Sequence, residues 1–423
     1  MGDSADGGGV DARGVATQEH DPPTPSASSH SPGPAGGGPL GEAGYLGGLS
    51  AAQEAALSEF RRRARERLPH PRFHDVLLLR FLRARKFDIE AAWTMFSEHL
   101  DWRESTGLDV LPDGATSLGS PELRFPEMLE IKRCYPHGFH GLDKFGRPLY
   151  IERLGRLDLG RLLRHTSPER VAAYFAHELE RLSTHRLLAC SLAQGRLVEK
   201  IVTVLDLDGL SVRTVSQAAA RRMLQAITKV QQCHYPETMG EMIIMNAPRA
   251  FHLAWKFACP MIDVGTVQKI RGLQEDPAQR LRELVEPHNL PRFLGGECEC
   301  ECPGGCLSSD RGPWQDQSII AELGSAPQWE IWNRLAHQTR AQVAGSADPG
   351  VLPSSLSAQF ASTLSPAPSR SPPRRQRCTW SPITDSWHSI PASRGPMDSS
   401  TSASPFVSES PRDYATPGGG ASA

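Results

Sequence analysis

A lysine surrounded by apolar residues is the first sign of chemistry in this sequence. Lys269 lies between Val267 and Ile270, and a cation in such surroundings needs an anionic partner because an unpaired buried charge is costly. Upstream, Glu237 is an isolated acid beside Pro236, just before an apolar strand pattern at residues 242–245. We therefore interpret the stretch 235–269 as the centre of the functional site.

Four cysteines lie close together in a second candidate site, at Cys298, Cys300, Cys302 and Cys306. Four thiols at this density have the donors that zinc prefers, but their alternating C-x-C-x-C spacing differs from the paired CxxC of structural zinc sites. The sequence shows no secretory leader, so the thiols are expected to be reduced. The spacing favours a reduced surface loop over a zinc site, and no metal or cofactor is predicted.

Catalytic motifs are not found. The sequence has no GxSxG elbow, HExxH pair or P-loop, and its fifteen histidines are scattered. Asp206 and Asp208 follow a strand pattern and would suit a hydrolase or phosphatase, but they lack a nucleophile or metal ligands at a recognisable spacing. We predict a protein without enzyme activity and keep a hydrolase using Asp206 as an alternative.

Composition limits the folded part of the 423 residues. Residues 1–48 are rich in Gly, Pro, Ser and Asp, and residues 344–423 in Ser, Pro, Ala and Arg, so both are predicted to be disordered tails. The 46 Lys and Arg nearly balance the 48 Asp and Glu, which argues against a nucleic-acid partner. No apolar run approaches the roughly 20 residues that span a bilayer, so a cytoplasmic protein is expected.

Periodicity predicts helices first and a sheet later. A capping box at Ser50 and Gln53 starts a first helix, a second covers residues 75–85, and Asp88 caps a third. These helices define a predicted N-terminal subdomain at 49–107. Strand patterns at 149–154, 200–206, 242–245 and 266–270 alternate with helices that begin near Ser167 and Thr214, which predicts an α/β domain with a mixed sheet at 125–315. A C-terminal extension at 316–343 follows.

Several motifs in order resemble one family. They are LLRFLRARKFD (78–88), YPHGFHGLDKFGRPLYIERLG (135–155), YPE (235–237), MNAP (245–248), TVQKI (266–270) and NLPRFLGG (289–296). Together, over about residues 50–315, they resemble the CRAL-TRIO lipid-binding domain, and more narrowly the yeast-type phosphatidylinositol and phosphatidylcholine transfer proteins. The resemblance implies an N-terminal helical subdomain followed by a mixed-sheet domain that encloses an apolar lipid cavity.

The resemblance also implies a headgroup site. Four positions match the residues that surround the inositol phosphate in the family: Arg85, Glu237, Thr266 and Lys269. Cations and a hydroxyl suit a phosphodiester, and a carboxylate accepts hydrogen bonds from ring hydroxyls. The alternative from the residues alone is that Arg85 solvates a helix end and Glu237 is a turn residue.

The family's second pocket, which binds phosphatidylcholine, is matched less well. Tyr150 and Thr203 fit its pattern, but Phe139 stands where the yeast-type protein has Tyr, and Ile201 replaces a Ser. Each change removes a hydroxyl from a position that would contact phosphate or choline. We therefore expect weak or absent phosphatidylcholine binding, and ordinary β-sheet roles for Tyr150 and Thr203 remain open.

The resemblance finally implies moving parts. The apolar helical pattern around residues 251–259, with Phe251, Trp255 and Phe257, is similar to the family's gate, and Gly295 and Gly296 match a hinge-like pair. The alternatives are a core helix and a simple turn.

The function that the resemblance implies is exchange of phospholipids between membranes and presentation of phosphatidylinositol to a lipid kinase. We expect a monomer that touches membranes such as the Golgi transiently. The alternatives are a carrier of another hydrophobic ligand, such as a sterol or an isoprenoid, and a phosphoinositide hydrolase.

Overall fold

The computed structural model of the chain describes residues 42–68, 72–106, 125, 127–248, 251, 255, 264–272 and 276–345. Most of the two predicted tails, and Phe257 of the predicted gate, lie outside the described residues.

Three helices form the N-terminal part: α1 (Ala51–Arg67), α2 (Asp75–Ala84) and α3 (Ile89–Thr106). At the start of α1 the Ser50 hydroxyl accepts a hydrogen bond from the Gln53 amide at 3.3 Å, and the Gln53 side chain accepts one from the Ser50 amide at 3.0 Å. At α3 the Asp88 carboxylate accepts from the Ala91 amide at 3.0 Å. Both helix starts predicted from capping residues are confirmed.

The capping box gives a measurable stability contribution. We expect Ser50→Ala to lower the free energy of unfolding by about 1 kcal/mol, because it removes the acceptor for the Gln53 amide. Ser58→Ala makes the same chemical change at an exposed position inside α1 and should be neutral or slightly stabilising, since alanine is the better helix former. Denaturant unfolding of both variants tests this, and equal effects would contradict the capping role.

Within the described residues, five strands form one sheet, in the order β1 (His137–Leu142), β2 (Pro148–Glu152), β3 (Ile201–Asp206), β4 (Met239–Met245) and β5 (Ile270–Arg271). The β1–β2 pair is antiparallel and the other three pairs are parallel. The predicted mixed sheet is confirmed.

The helices that the described part of this domain contains are α4 (Met128–Cys134), α5 (Leu159–His165), α6 (Pro168–Arg181), α7 (Leu187–Gln194), α8 (Val212–Ser216), α9 (Ala218–His234), α10 (Val264–Val267), α11 (Pro277–Leu284) and α12 (Cys306–Ser309). A π-helical turn, Leu182–Arg186, joins α6 to α7. Within the described ranges, no helix is long and apolar enough to cross a membrane.

Apolar residues cover both faces of the sheet, as expected where parallel strands are enclosed by helices. Directly paired residues point to the same face. One face has the row Phe139, Tyr150, Thr203, Met242 and Ile270. The opposite face packs Leu149, Ile151, Val202, Val204 and Ile243 into a second core with α11.

The predicted strand at 266–270 is wrong in its first part. Thr266 lies in the helical turn α10, and the strand comprises only Ile270–Arg271. β-Branched residues favour extended backbone only where a neighbouring strand pairs with them. Here pairing with β4 begins where the Met242 amide donates to the Lys269 carbonyl at 3.0 Å, so Thr266 is left outside the ladder.

The C-terminal extension forms α13 (Gln317–Leu323) and α14 (Gln328–Gly345). On α14, Trp332 stacks on His74 with ring centroids 5.3 Å apart, and Arg340 pairs with Asp75 at 3.1 Å. Residues 42–48, which the sequence assigned to the N-terminal tail, form turns with Tyr45 buried. There Gly47 packs so closely on Val343 that an added Cβ would lie 2.7 Å from it. The extension therefore packs back onto the N-terminal part.

Candidate functional site

Glu237 is the anionic partner that Lys269 requires. The Lys269 Nζ lies 3.1 Å from the Glu237 Oε2, and each side chain keeps 24% of its surface exposed. The pair is thus neither fully buried nor freely solvated. A third charged or hydroxyl-bearing group from solvent can reach it.

The backbone fixes both members of this pair. Glu237 has a φ of 58°, a left-handed conformation that costs a non-glycine residue about 1–2 kcal/mol. The carbonyl of Tyr235, two residues before Glu237, accepts a hydrogen bond from the Thr238 hydroxyl at 3.0 Å. The Lys269 carbonyl accepts from the Met242 amide, and its amide donates to the Thr266 carbonyl at 3.1 Å. Both charges are therefore held beside β4.

The other two predicted headgroup residues, Thr266 and Arg85, differ in exposure and position. Thr266 is half-buried on α10, one turn before Lys269. Arg85 is exposed at the end of α2, where its Nη1 donates to the Ala84 carbonyl at 3.0 Å. Its place in the headgroup site stays a prediction.

A buried cation near Glu237 escaped the sequence interpretation. Arg83 pairs with Glu199 at 2.7 Å, with side chains 7% and 5% exposed, and its guanidinium carbon lies 4.1 Å from the Tyr45 ring centroid. Burial lowers the pKa of the neighbouring Lys200, an effect that Glu42 and Glu237 oppose. Arg83 follows Val76 and Arg80 at the i, i+4, i+7 spacing of one helical stripe, which is the signal that indicates an inward position.

A row of mostly apolar residues crosses the sheet and ends at Ile270, the residue that follows Lys269. In the row that begins at Phe139, the first three residues, up to Thr203, are buried. The last two, Met242 and Ile270, are only half-buried. Leu205, on the same face of β3, is also half-buried. Lys269 directly precedes Ile270 in the chain. The ion pair therefore lies at the start of β5, the strand on which the half-buried part of the row ends.

The residues predicted for the second pocket share this face. Phe139 pairs with Tyr150, and Tyr150 with Thr203, on neighbouring strands, while Ile201 lies two residues before Thr203. The Phe139 and Tyr150 ring centroids are 4.9 Å apart. Burial raises the pKa of Tyr150 well above its ordinary value, so its hydroxyl stays protonated at neutral pH.

A buried arginine covers the Phe139 ring. The Arg186 guanidinium carbon lies 4.4 Å from the ring centroid, and its Nη2 lies 3.2 Å from both the Glu178 and Asp310 carboxylates. Arg186 ends the π-helical turn, a rare element that is frequent at functional sites. The structure thus places a fixed cation over the face of the Phe139 ring.

Only part of the predicted moving segments is described. The Phe251 and Trp255 rings stack with centroids 6.1 Å apart, and both residues are half-buried. Gly295 has a φ of 86° and ends a 3₁₀ turn at Arg292–Leu294. A Cβ on Gly296 would lie 2.0 Å from the Leu290 carbonyl oxygen, so this position requires glycine. Gate and hinge movement stay predictions.

Three of the four clustered cysteines meet a residue that the sequence interpretation missed. Cys298, Cys300 and Cys306 converge with His140 of β1, whereas the Cys302 thiol donates to the Gly305 carbonyl. No local spacing reveals His140, because it belongs to a different part of the chain and only the sheet brings it to the loop.

The Asp206 carboxylate is held by an ion pair and two hydrogen bonds. It pairs with Arg153 at 2.9 Å and accepts from the Asn246 side chain at 2.9 Å and from the Asp208 amide at 3.0 Å. These donors occupy the carboxylate at the end of β3, which leaves it poorly placed for acid–base chemistry.

Two family models match the chain, the CRAL/TRIO domain over residues 132–296 and the CRAL/TRIO N-terminal domain over residues 54–98. The Sec14 cytosolic factor of Schizosaccharomyces pombe is 35% identical over 279 residues, which cover 66% of this chain and 92% of that protein. The chain belongs to the CRAL-TRIO family.

Two relatives from Arabidopsis thaliana match over a smaller share of their own length than the Schizosaccharomyces pombe protein does. The phosphatidylinositol/phosphatidylcholine transfer protein SFH4 of Arabidopsis thaliana is 38% identical over 62% of this chain and 42% of its own length. The corresponding SFH11 protein is 39% identical over 60% of this chain and 66% of its own length. The chain therefore spans less than half the length of SFH4. Among solved structures, the crystal structure of Sfh5 matches half of the chain with a TM-score of 0.37 and 16% identity.

Proposed function

We propose that this CRAL-TRIO protein binds phosphatidylinositol, exchanges phospholipid between membranes and presents phosphatidylinositol to a lipid kinase. The observation that supports this most is the Lys269–Glu237 ion pair at the start of β5, the strand on which the half-buried apolar row ends. A phospholipid has the same division into a charged headgroup and apolar chains.

The ion pair suits an inositol phosphate in both of its members. A phosphodiester oxygen accepts from the Lys269 ammonium in a charge-assisted hydrogen bond, and ring hydroxyls donate to the Glu237 carboxylate. Thr266 adds a hydroxyl one turn away. Arg83, although paired with Glu199, also interacts electrostatically with Glu237, and we propose that the exposed Arg85 meets the phosphate.

The names of the relatives support the same ligand class, since SFH4 and SFH11 are named phosphatidylinositol/phosphatidylcholine transfer proteins. A sterol or isoprenoid carrier is the alternative within this family. Such ligands have no phosphodiester to interact with Lys269, so the ion pair favours the phospholipid. We expect the protein to act as a monomer in the cytoplasm and to visit membrane surfaces, such as the Golgi, transiently.

Identification of the bound lipid tests the proposal. The protein is purified after expression in a eukaryotic host, and the extracted lipid is identified by mass spectrometry. We expect phosphatidylinositol, and we expect the protein to move labelled phosphatidylinositol between vesicles. Recovery of a sterol or an isoprenoid without phosphatidylinositol would refute the proposal.

We predict that phosphatidylcholine is transferred more slowly than phosphatidylinositol, because Phe139 and Ile201 offer no hydroxyl to its phosphate. A polar group that loses its partner in an apolar pocket costs about 1–3 kcal/mol, which is roughly five- to a hundredfold in affinity. Paired vesicle assays with the two labelled lipids measure this ratio. Equal rates would show that other groups replace the missing hydroxyls.

Restoring the hydroxyls should weaken the preference for phosphatidylinositol over phosphatidylcholine. We expect Phe139→Tyr combined with Ile201→Ser to raise phosphatidylcholine transfer relative to phosphatidylinositol transfer. Phe139→Tyr combined with Ile201→Ala is the matched control, since alanine and serine leave a similar space and differ by one hydroxyl. The same ratio in both double variants would exclude a contribution from the residue 201 hydroxyl.

A further inference from the structure

Four side chains from two parts of the chain form a compact group. Its ligand-type atoms all lie within 4.8 Å of one another, and its members are His140, Cys298, Cys300 and Cys306. We propose that these residues bind a structural zinc ion that fastens the cysteine loop to β1. The proposal is independent of the lipid that the protein binds.

The sulfur geometry fits a tetrahedral ion. Zinc–sulfur bonds of about 2.3 Å place the sulfurs of a tetrahedral site about 3.8 Å apart. The Cys298 and Cys300 Sγ atoms are 3.8 Å apart. Since the largest separation in the group is 4.8 Å, small side-chain rotations suffice to complete the site.

Hydrogen bonds orient the His140 ring for metal binding. The Ser309 hydroxyl donates its single proton to the Cys306 carbonyl at 2.8 Å. It must therefore accept the hydrogen bond from His140 Nδ1, which lies 2.9 Å away. This places the proton on Nδ1 and leaves the lone pair on Nε2. A second-shell partner on the other ring nitrogen is the usual arrangement for a histidine that binds metal.

The Nε2 atom of His140 makes no hydrogen bond within the described part of the chain. His140 is fully buried, and its Nε2 has no hydrogen-bond partner. Buried polar atoms are nearly always satisfied, so an unsatisfied one calls for an explanation such as an ion. A zinc ion held together with the three thiolates provides it.

The loop backbone brings Cys306 back to the first two cysteines. Gly304 and Gly305 have φ angles of 88° and 62°, a left-handed conformation that glycine adopts readily. The reversal places the Cys306 Sγ 3.5 Å from the Cys298 carbonyl. Cys302 lies on the reversal itself, where its thiol donates to the Gly305 carbonyl at 3.2 Å. This explains why Cys302, the third cysteine of the loop, lies outside the group, which His140 completes.

The donor set indicates zinc and a structural role. Three thiolates and one imidazole form one of the closed sets of structural zinc sites, which leave no open position for a substrate. Three thiolates and a divalent cation have a net charge of −1, and the Arg311 Nη1 lies 3.6 Å from the Cys298 Sγ. The arginine therefore offsets the remaining charge.

The site would hold a segment that supports the sheet. The loop continues into Leu307, whose carbonyl oxygen lies so close to Gly138 of β1 that an added Cβ would be 2.1 Å from it. Further along, the Arg311 carbonyl accepts from the Gly141 amide at 2.8 Å, and Asp310 pairs with Arg186. Zinc would stabilise these contacts, so its loss should loosen the packing around Phe139.

Metal analysis of the purified full-length chain tests the site. We expect one equivalent of zinc by mass spectrometry after expression with added zinc and purification under reducing conditions. Cys300→Ser should reduce the zinc content several-fold; Cys300 is half-buried, so the variant should fold. Cys302→Ser is the matched control, as it removes a thiol from the same loop but not from the group, and it should keep its zinc.

Cobalt provides a second readout. The metal-free protein reconstituted with Co²⁺ should show thiolate charge-transfer bands and the intense visible bands of tetrahedral cobalt, and His140→Asn and Cys300→Ser should weaken them. A strong zinc chelator should lower the melting temperature of the wild type and of Cys302→Ser, but not that of Cys300→Ser. Zinc-free wild-type protein without a tetrahedral cobalt spectrum would overturn the proposal, as would equal zinc loss in the Cys300 and Cys302 variants.

Discussion

Replacing Lys269 with alanine should reduce phosphatidylinositol transfer between vesicles at least tenfold. A hydrogen bond to a charged group contributes about 1.5–3 kcal/mol, which is roughly ten- to a hundredfold in affinity. The fold should survive, because a pair with both side chains 24% exposed contributes about 1 kcal/mol or less to stability. Vesicle transfer and thermal unfolding of the same preparation separate binding from folding.

A matched control exists for this prediction. Lys144 also pairs with a glutamate, Glu286, at 3.8 Å, and both side chains are exposed. Lys144→Ala removes one positive charge without touching the proposed site and should transfer phosphatidylinositol at the normal rate. Normal transfer by folded Lys269→Ala protein would reject the headgroup assignment.

The predicted gate is the other position where substitution should have a large effect. Two acyl chains have roughly thirty CH₂ groups, and at about 0.8 kcal/mol for each buried group the lipid cannot cross water unaided at a useful rate. The protein must therefore open at a membrane surface. We expect Trp255→Ser combined with Phe257→Ser to slow exchange several-fold, because aromatic rings that suit the bilayer interface are lost.

The mechanism of this loss can be distinguished by three measurements on one variant: vesicle binding, exchange rate and retained lipid. Slower opening predicts weaker vesicle binding and slower exchange, with most of the lipid retained. Ile320→Ser removes an exposed apolar side chain from α13 and should leave all three unchanged. Exchange at the normal rate by the double variant would assign residues 251–259 to a core helix.

Local sequence signals predicted the elements well where the cause of the structure is local. The starts of α1 and α3 follow from Ser50 and Asp88, which accept hydrogen bonds from amides only three residues away. The parallel strand at Ile201–Asp206 follows from an apolar run that can be buried on both faces. The prediction that Thr266 lies in a strand is wrong, because the length of that strand depends on how far β4 extends beside it.

The site was harder to predict because its members meet through the tertiary fold. Glu237 and Lys269 were identified from their surroundings and from the family resemblance, and the structure pairs them directly. Arg83 and His140 were missed, since α2 and β1 reach their partners only when the helices and the sheet pack together. Spacing also gives no sign that the Cys302 thiol bonds to the Gly305 carbonyl instead of meeting the other three cysteines, as it shows nothing of the turn at Gly304 and Gly305.

The contact between Gly47 and Val343 has a mechanical consequence. It joins the turns at residues 42–48 to the last turn of α14, so a force that pulls these two segments apart acts first on that contact. The Arg340–Asp75 pair would separate next and the Trp332–His74 stack after it, as α14 peels away from α2 starting at its C-terminal end. Unzipping of this kind needs little force per step, and the tension would reach the sheet, with Lys269 and Glu237 beside it, only after α14 had detached.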